Sequence, residues 1–155
     1  MLEFKDMRIT LTLATFFAFS SGLVFAQKKL ALQDLPPNMQ KTVRDELRGG
    51  EIKSIGKETE HGVQQYEVET MLNGKRRDFE VDTNGNLLVV EEETAIDTVP
   101  APAKAAILKK AGGGKLGMVE LFIKGSKTMY EAEYTSKDGK KHEVLVKADG
   151  TETKE

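Results

Sequence analysis

Two basic clusters occupy matching places in this chain: Lys75-Arg76-Arg77 follows the turn Asn73-Gly74, and Lys140-Lys141-His142 follows Asp138-Gly139. Cations grouped in this way can hold a carboxylate-rich partner, and two such patches could act together if the segments around them are related by a pseudo-symmetry. These six residues are therefore the candidate protein-binding residues. The competing reading, charge that merely keeps two turns soluble, stays open at this point.

Other residues that could do chemistry lack the spacing it needs. His61 and His142 fall at different points of the chain's two halves, there is no cysteine, and no HExxH pattern occurs, so no zinc ligand set is expected. No GxSxG presents a serine nucleophile. Ala111-Gly112-Gly113-Gly114-Lys115 resembles a phosphate loop on the surface, but Leu116 follows the lysine and the run passes from a helical to a strand-like segment, which marks a helix terminator. Asp82-Thr83-Asn84-Gly85-Asn86 is a fragment of a calcium-loop pattern and reads as a hairpin turn with a positive φ. Glu91-Glu92-Glu93 reads as a solvated edge strand, where charge discourages aggregation. No catalytic residue, cofactor site or metal site is expected, and the chain is not expected to be an enzyme.

Composition narrows the partners. The 155 residues carry 23 Lys and Arg against 25 Asp and Glu, a net charge of −2, which gives no electrostatic reason to expect nucleic acid or a membrane surface. Residues 1–26 read as a signal peptide: Lys5 and Arg8 precede an apolar stretch from Ile9 to Phe25 that closes at Ala26, with Glu3 and Asp6 unusual enough that a start at Met7 gives a cleaner leader. Six Ser, Thr and Gly residues dilute the stretch and favour cleavage over an uncleaved anchor. Without cysteine, the exported chain must fold on its core alone. A periplasmic or secreted location is the expectation.

The elements that would carry these groups come twice. Tyr66-Glu67-Val68-Glu69 returns as Tyr130-Glu131-Ala132-Glu133 at an offset of 64, and Gly74, Lys75, Val81 and Gly85 return one residue later as Gly139, Lys140, Val146 and Gly150. Each copy opens on a proline-marked helix. Leu35-Pro36-Pro37 leads into a face of Met39, Val43 and Leu47 that ends at Gly49-Gly50, and Val99-Pro100 leads into Ala103, Ile107 and Ala111 before the triple glycine. Four alternating segments follow the first helix at 51–60, 61–72, 74–83 and 85–93, joined by short-hairpin signals. The second copy repeats the plan with a polar stub at Thr151 to Glu155. Alternation puts Tyr66 and Val68, or Tyr130, Ala132 and Tyr134, on the face a helix should cover, with Glu67, Glu69, Glu131 and Glu133 facing water.

The expected fold class is therefore α+β: two tandem repeats, each one helix followed by a three- or four-stranded antiparallel meander, the helix packed on one sheet face. A unit of about 60 residues is marginal alone. The short link from Glu91 to Val99 then predicts that the two units touch, one continuous sheet being a way to do so.

The Pro-initiated helix, the Tyr-Glu-x-Glu strand, the Asp/Asn-Gly-Lys turn and the following apolar strand and Asp/Asn-Gly turn resemble the PepSY-like domains of bacterial exported proteins, over residues 34–93 and 98–155. Two such units in tandem also resemble the beta-lactamase inhibitor protein architecture, although no long aromatic-rich loop is evident. The resemblance implies a non-enzymatic exported binding module whose partner is an envelope protein, a peptidase being the class it suggests. It implies no nucleic-acid partner and no membrane attachment after leader cleavage. The alternative is a small-ligand or metal-ion sensing protein of the cell envelope, using a cleft between the units lined by tyrosines and paired carboxylates.

Overall fold

In a computed structural model, the described residues are 30–154 apart from His61. The leader expected at residues 1–26 lies outside them, as does His61. A helix α1 (Pro37–Leu47) is followed by strands β1 (Glu51–Glu60), β2 (Val63–Leu72), β3 (Lys75–Asp82) and β4 (Leu87–Glu93). Then come α2 (Ala101–Ala111), β5 (Lys115–Lys124), β6 (Lys127–Thr135), β7 (Lys141–Lys147) and the two-residue β8 (Glu152–Thr153). Short 3-10 turns at Leu32–Asp34 and Ile96–Thr98 precede the helices and were not foreseen.

Both helices start with proline in the first turn, where its missing N–H costs nothing. Each ends on a left-handed residue, Arg48 at φ 50° and Gly112 at φ 57°. The triple glycine is thus the end of α2, and Lys115 opens β5.

All eight strands form one antiparallel sheet in the order β1-β2-β3-β4-β5-β6-β7-β8. The seam is the β4–β5 ladder, in register from Val89 opposite Lys124 to Glu93 opposite Glu120. This corrects the reading of Glu91-Glu92-Glu93 as an edge: β4 lies in the middle of the sheet, because it pairs across the short link that carries α2. The polar stub expected at the C-terminus is β8, bonded to β7 by only two residue pairs.

Both helices cover the same face. Met39, Val43 and Leu35 pack with Ile55, Val68, Phe79, Val81 and Val90 under α1. Ala103, Ile107 and Val99 pack with Val119, Ala132, Val144 and Val146 under α2. Tyr66, Tyr130 and Tyr134 join these two clusters, as the alternation predicts. The Asx-Gly turns fit under the helix starts for a second reason besides φ. A Cβ on Gly85 would lie 3.0 Å from the Asn38 carbonyl carbon, and one on Gly150 would lie 2.7 Å from the Pro102 carbonyl oxygen. Only a residue without a side chain lets each turn reach its helix.

Candidate functional site

The six basic candidates do not form the two patches that their spacing suggested. Successive strand residues point to opposite faces. Arg77 shares the helix-side face with Phe79 and Val81, while Arg76 points to the other face. The structure removes Arg77 from any contact surface, its side chain being only 3% exposed. Its Nη2 donates to Glu46 Oε2 at 2.6 Å, its Nη1 to the Glu46 backbone carbonyl at 2.6 Å, and its Nε to Glu92 Oε1 at 2.8 Å. The guanidinium also lies 5.6 Å from the Phe79 ring centroid. It therefore fastens the C-terminal turn of α1, where a carbonyl lacks an intrahelical donor, to β3 and β4.

Arg76 bonds Asp78 through Nε and lies 3.7 Å from Glu69. Lys75 is exposed at the start of β3. In the second half Lys140 and Lys141 are exposed, and Lys140 pairs with Asp138 at 3.1 Å. The two clusters sit at the same end of the sheet but four strands apart, about 19 Å at ordinary strand spacing.

His142 occupies the place that Arg77 holds in the first half. It stacks on Tyr134 with ring centroids 5.0 Å apart, and its Nε2 lies 3.0 Å from Ser136 Oγ. A serine beside a histidine raises the question of a nucleophile. However, Ser136 Oγ has one proton and already faces two acceptors, Asp138 Oδ1 and the Lys140 carbonyl oxygen. The histidine nitrogen is then the donor in its contact, which leaves the hydroxyl unactivated. The three side chains clasp an exposed hairpin.

The Asp82 turn is closed in the same sense. Its carboxylate accepts from Asn84 N, Asn86 N and Asn86 Nδ2, each at 2.8 Å, and those bonds hold it below the usual carboxylate range. Among the described residues no group of three or more His, Cys, Asp and Glu is placed to hold a metal ion, and no helix is long and apolar enough to cross a membrane.

The helix-free face of the sheet is where the chemistry collects. Val89, Phe122, Met129 and Leu145 form an apolar strip across β4 to β7 on that face. Around it stand carboxylates in directly opposed cross-strand positions: Glu67 with Glu80, Glu93 with Glu120, Glu120 with Glu131, and Glu133 with Glu143. Like charges so placed repel. Asp78 is 1% exposed but satisfied, accepting from the Thr70 backbone N–H at 2.9 Å and from Arg76. Glu93 accepts from the Arg76 backbone N–H at 3.1 Å.

Glu120 is different. It is 8% exposed, and its Oε1 has no hydrogen-bond partner. Burial pushes its carboxyl up to about 7, an effect opposed by Arg76 and reinforced by Asp78, Glu133 and Glu93. Glu67 is pushed up to about 6 by burial and by Glu58, Glu69 and Asp78, with Arg76 opposing. The expectation that the carboxylates of this face simply meet water is thus corrected. Glu133 is exposed, Glu67, Glu69 and Glu131 are half-buried, and Glu120 is buried among them.

No protein-family model matches the chain, and no curated protein matches it. Solved structures do. The chain is similar to a protein of Bacteroides eggerthii assigned provisionally to the periplasm, at 13% identity over 77% of this chain and 86% of that one, with a TM-score of 0.63. It is similar to a DUF2874 family protein of Bacteroides uniformis, at 14% identity over 77% and 86%, TM-score 0.62. A BLIP-like protein of Bacteroides fragilis aligns at 18% identity over 77% and 84%, TM-score 0.57. At such identities the likeness is one of fold: an α+β chain with an eight-stranded antiparallel sheet and two helices.

The signal for Glu120 was present in the sequence but weak. Val119, Leu121 and Ile123 alternate with Glu120 and Phe122, so the strand reads as apolar nearly throughout and Glu120 as an interruption. The signal for Arg77 was clearer, since it has the same parity as Phe79 and Val81 on β3.

Proposed function

We propose that this chain is an exported, non-enzymatic binding module built from two PepSY-like units, residues 34–93 and 98–155, that contacts another envelope protein with the helix-free face of its sheet. The carrying observation is that face itself: both helices pack on the reverse side, and opposed carboxylates, Glu133 and Glu143 exposed among them, stand around a strip of Val89, Phe122, Met129 and Leu145 that is itself buried. Exposed carboxylates at such positions offer a partner of opposite charge a place to bind. The Lys5–Ala26 leader pattern supports export, and the structural likeness to a BLIP-like protein supports an inhibitor-like way of binding. A peptidase is the partner class that the PepSY resemblance suggests.

The sensing alternative loses its cleft. The units join edge to edge through β4 and β5, and the tyrosines that were to line a cleft are packed beneath the helices. Two open hollows of about 340 and 360 Å³ occur among the described residues, one lined mainly by Lys127, Met129 and Lys147, the other by Lys109, Lys110 and Glu152.

Immobilised chain from Gln27 onward, exposed to envelope extract, should retain a stoichiometric protein. The Glu133→Arg variant, altered on the helix-free face, should lose it, and Lys41→Glu on the outer side of α1 should keep it. Retention by both variants, or no retained protein together with thermal stabilisation by a small metabolite, contradicts the reading.

A further inference from the structure

Four Asx-Gly pairs close hairpins in this chain: Asn73-Gly74, Asn84-Gly85, Asp138-Gly139 and Asp149-Gly150. In each, the glycine backbone nitrogen follows an Asx side chain whose carbonyl carbon it can attack, with no Cβ in the way. Asparagine, whose amide leaves as ammonia, is the thermolabile kind.

The structure separates the four. Gly85 N–H donates to the Asp82 carbonyl at 3.0 Å, Gly139 N–H to the Ser136 carbonyl at 2.9 Å, and Gly150 N–H to the Lys147 carbonyl at 2.8 Å. In three turns the nitrogen that would have to lose its proton is thus held as a donor. Their Asx residues are held as well: Asn84 N–H donates to Asp82 Oδ1, Asp138 accepts from Ser136 Oγ, and Asp149 accepts from Thr151 N–H.

Asn73-Gly74 lacks these restraints. It is the two-residue turn between β2 and β3, closed by the pair Leu72 and Lys75, with Asn73 at φ 54° and Gly74 at φ 80° as a type I′ turn requires. Both residues are exposed, and a Cβ built on Gly74 meets nothing within 4 Å. Among the described residues Gly74 N–H donates to no backbone carbonyl, and no hydrogen bond ties the Asn73 side chain. The equivalent turn of the second copy is longer, and its Gly139 folds back onto Ser136.

We propose that Asn73 is a site of spontaneous covalent modification, the Asx-Gly turn that cyclises in the folded protein while the other three do not. Gly74 N gives its proton to a base in solution and attacks Asn73 Cγ. The new N–Cγ bond closes a five-membered imide, and the Cγ–Nδ2 bond breaks to release ammonia. Water then adds to either imide carbonyl and opens the ring to aspartate or isoaspartate. One water is consumed and one ammonia released, with no oxidant or reductant. Either product places a carboxylate beside Lys75 and Arg76 and so lowers the positive charge of that cluster. Isoaspartate also adds a methylene to the backbone of a turn that sets the register of β2 on β3.

The test holds the purified protein at pH 8, folded in one sample and unfolded by guanidinium chloride in another, with peptide mapping by mass spectrometry at intervals. In the folded sample Asn73 should convert about fivefold faster than Asn84 or more, the factor set by the one hydrogen bond that the Asn84 turn must first break. In denaturant, where neither turn exists, the two should convert at similar rates. Asn73→Gly, which keeps a residue able to hold positive φ, should remove the early acidic species on isoelectric focusing, and Asn84→Ser should leave it. Asn84 converting as fast as Asn73 in the folded sample overturns the proposal. So does an Asn73 that stays intact while the unfolded sample converts. A preference for Asn73 that persists undiminished in denaturant overturns it too, because the local sequence and not the turn would then be its source.

Discussion

Replacing Arg77 by alanine is expected to lower stability by about 2 kcal/mol, less than the cost of breaking a fully buried ion pair, because Glu46 and Glu92 are partly exposed and each lies 3.6 Å from Arg48. The loss has three parts. Glu46 Oε2 and Glu92 Oε1 lose the donors that hold them at 2.6 and 2.8 Å, and the Glu46 carbonyl at the end of α1 loses its donor as well. The helix then rests on its apolar contacts and on the bond that the Thr42 hydroxyl donates to the Gly85 carbonyl. Arg77→Lys should recover only part of the loss, because an ammonium cannot reach three acceptors in a planar fork. Arg77→Met, which fills the space with an apolar chain but leaves Glu46 and Glu92 only Arg48, 3.6 Å from each, should also fall well short. Urea unfolding of the three variants checks this, and an Arg77→Ala change below about 1 kcal/mol would mean that the pair is solvated after all.

Glu120→Gln is expected to act in the opposite direction and only at high pH. The folded-state carboxyl sits near 7, above its ordinary value of 4.5, so the folded protein holds the proton more tightly than the unfolded chain. Stability associated with that proton is fully present below about pH 4.5 and is lost as pH rises through about 7. At pH 8 the wild type must keep a charged carboxylate buried, its Oε1 without a hydrogen-bond partner, and glutamine removes that requirement. The variant should be more stable by about 2 kcal/mol at pH 8, after allowance for screening by Arg76 and solvent. At pH 4.5 the two should coincide. Glu67 titrates in the same sense but is common to both proteins and cancels. Urea midpoints at the two pH values decide it: a difference that does not depend on pH, or a variant less stable at pH 8, would show that Glu120 is paired. A residue whose neutralisation stabilises the free protein is one that the fold retains at a cost, which is the pattern expected of a binding group.

Much of the fold could be read from local chemistry. Prolines at the helix starts, glycines at their ends and Asx-Gly turns each impose a backbone conformation within a few residues, and their positions match the elements observed. Alternation in Tyr66-Glu67-Val68-Glu69 assigned its faces correctly, because a strand has only two. What local pattern does not carry is which strands meet across a long connection. Glu91-Glu92-Glu93 looked like an edge because it is charged, but β4 is paired on both sides, and its glutamates face Arg77, Phe122 and Glu120 there. Arg77 looked like one third of a solubilising run because its partner Glu46 lies 31 residues away. Parity alone would have placed it under the helix. The candidate face was the least legible part, since it arises from the β4–β5 seam that brings Glu93 beside Glu120.

A photo-crosslinking residue on the helix-free face reports whether that face meets the partner. Incorporated at Glu133, it should yield a covalent adduct with the captured envelope protein on illumination. Incorporated at Lys41, on the outer side of α1, it should yield none. An adduct from Lys41 with none from Glu133 would contradict the account.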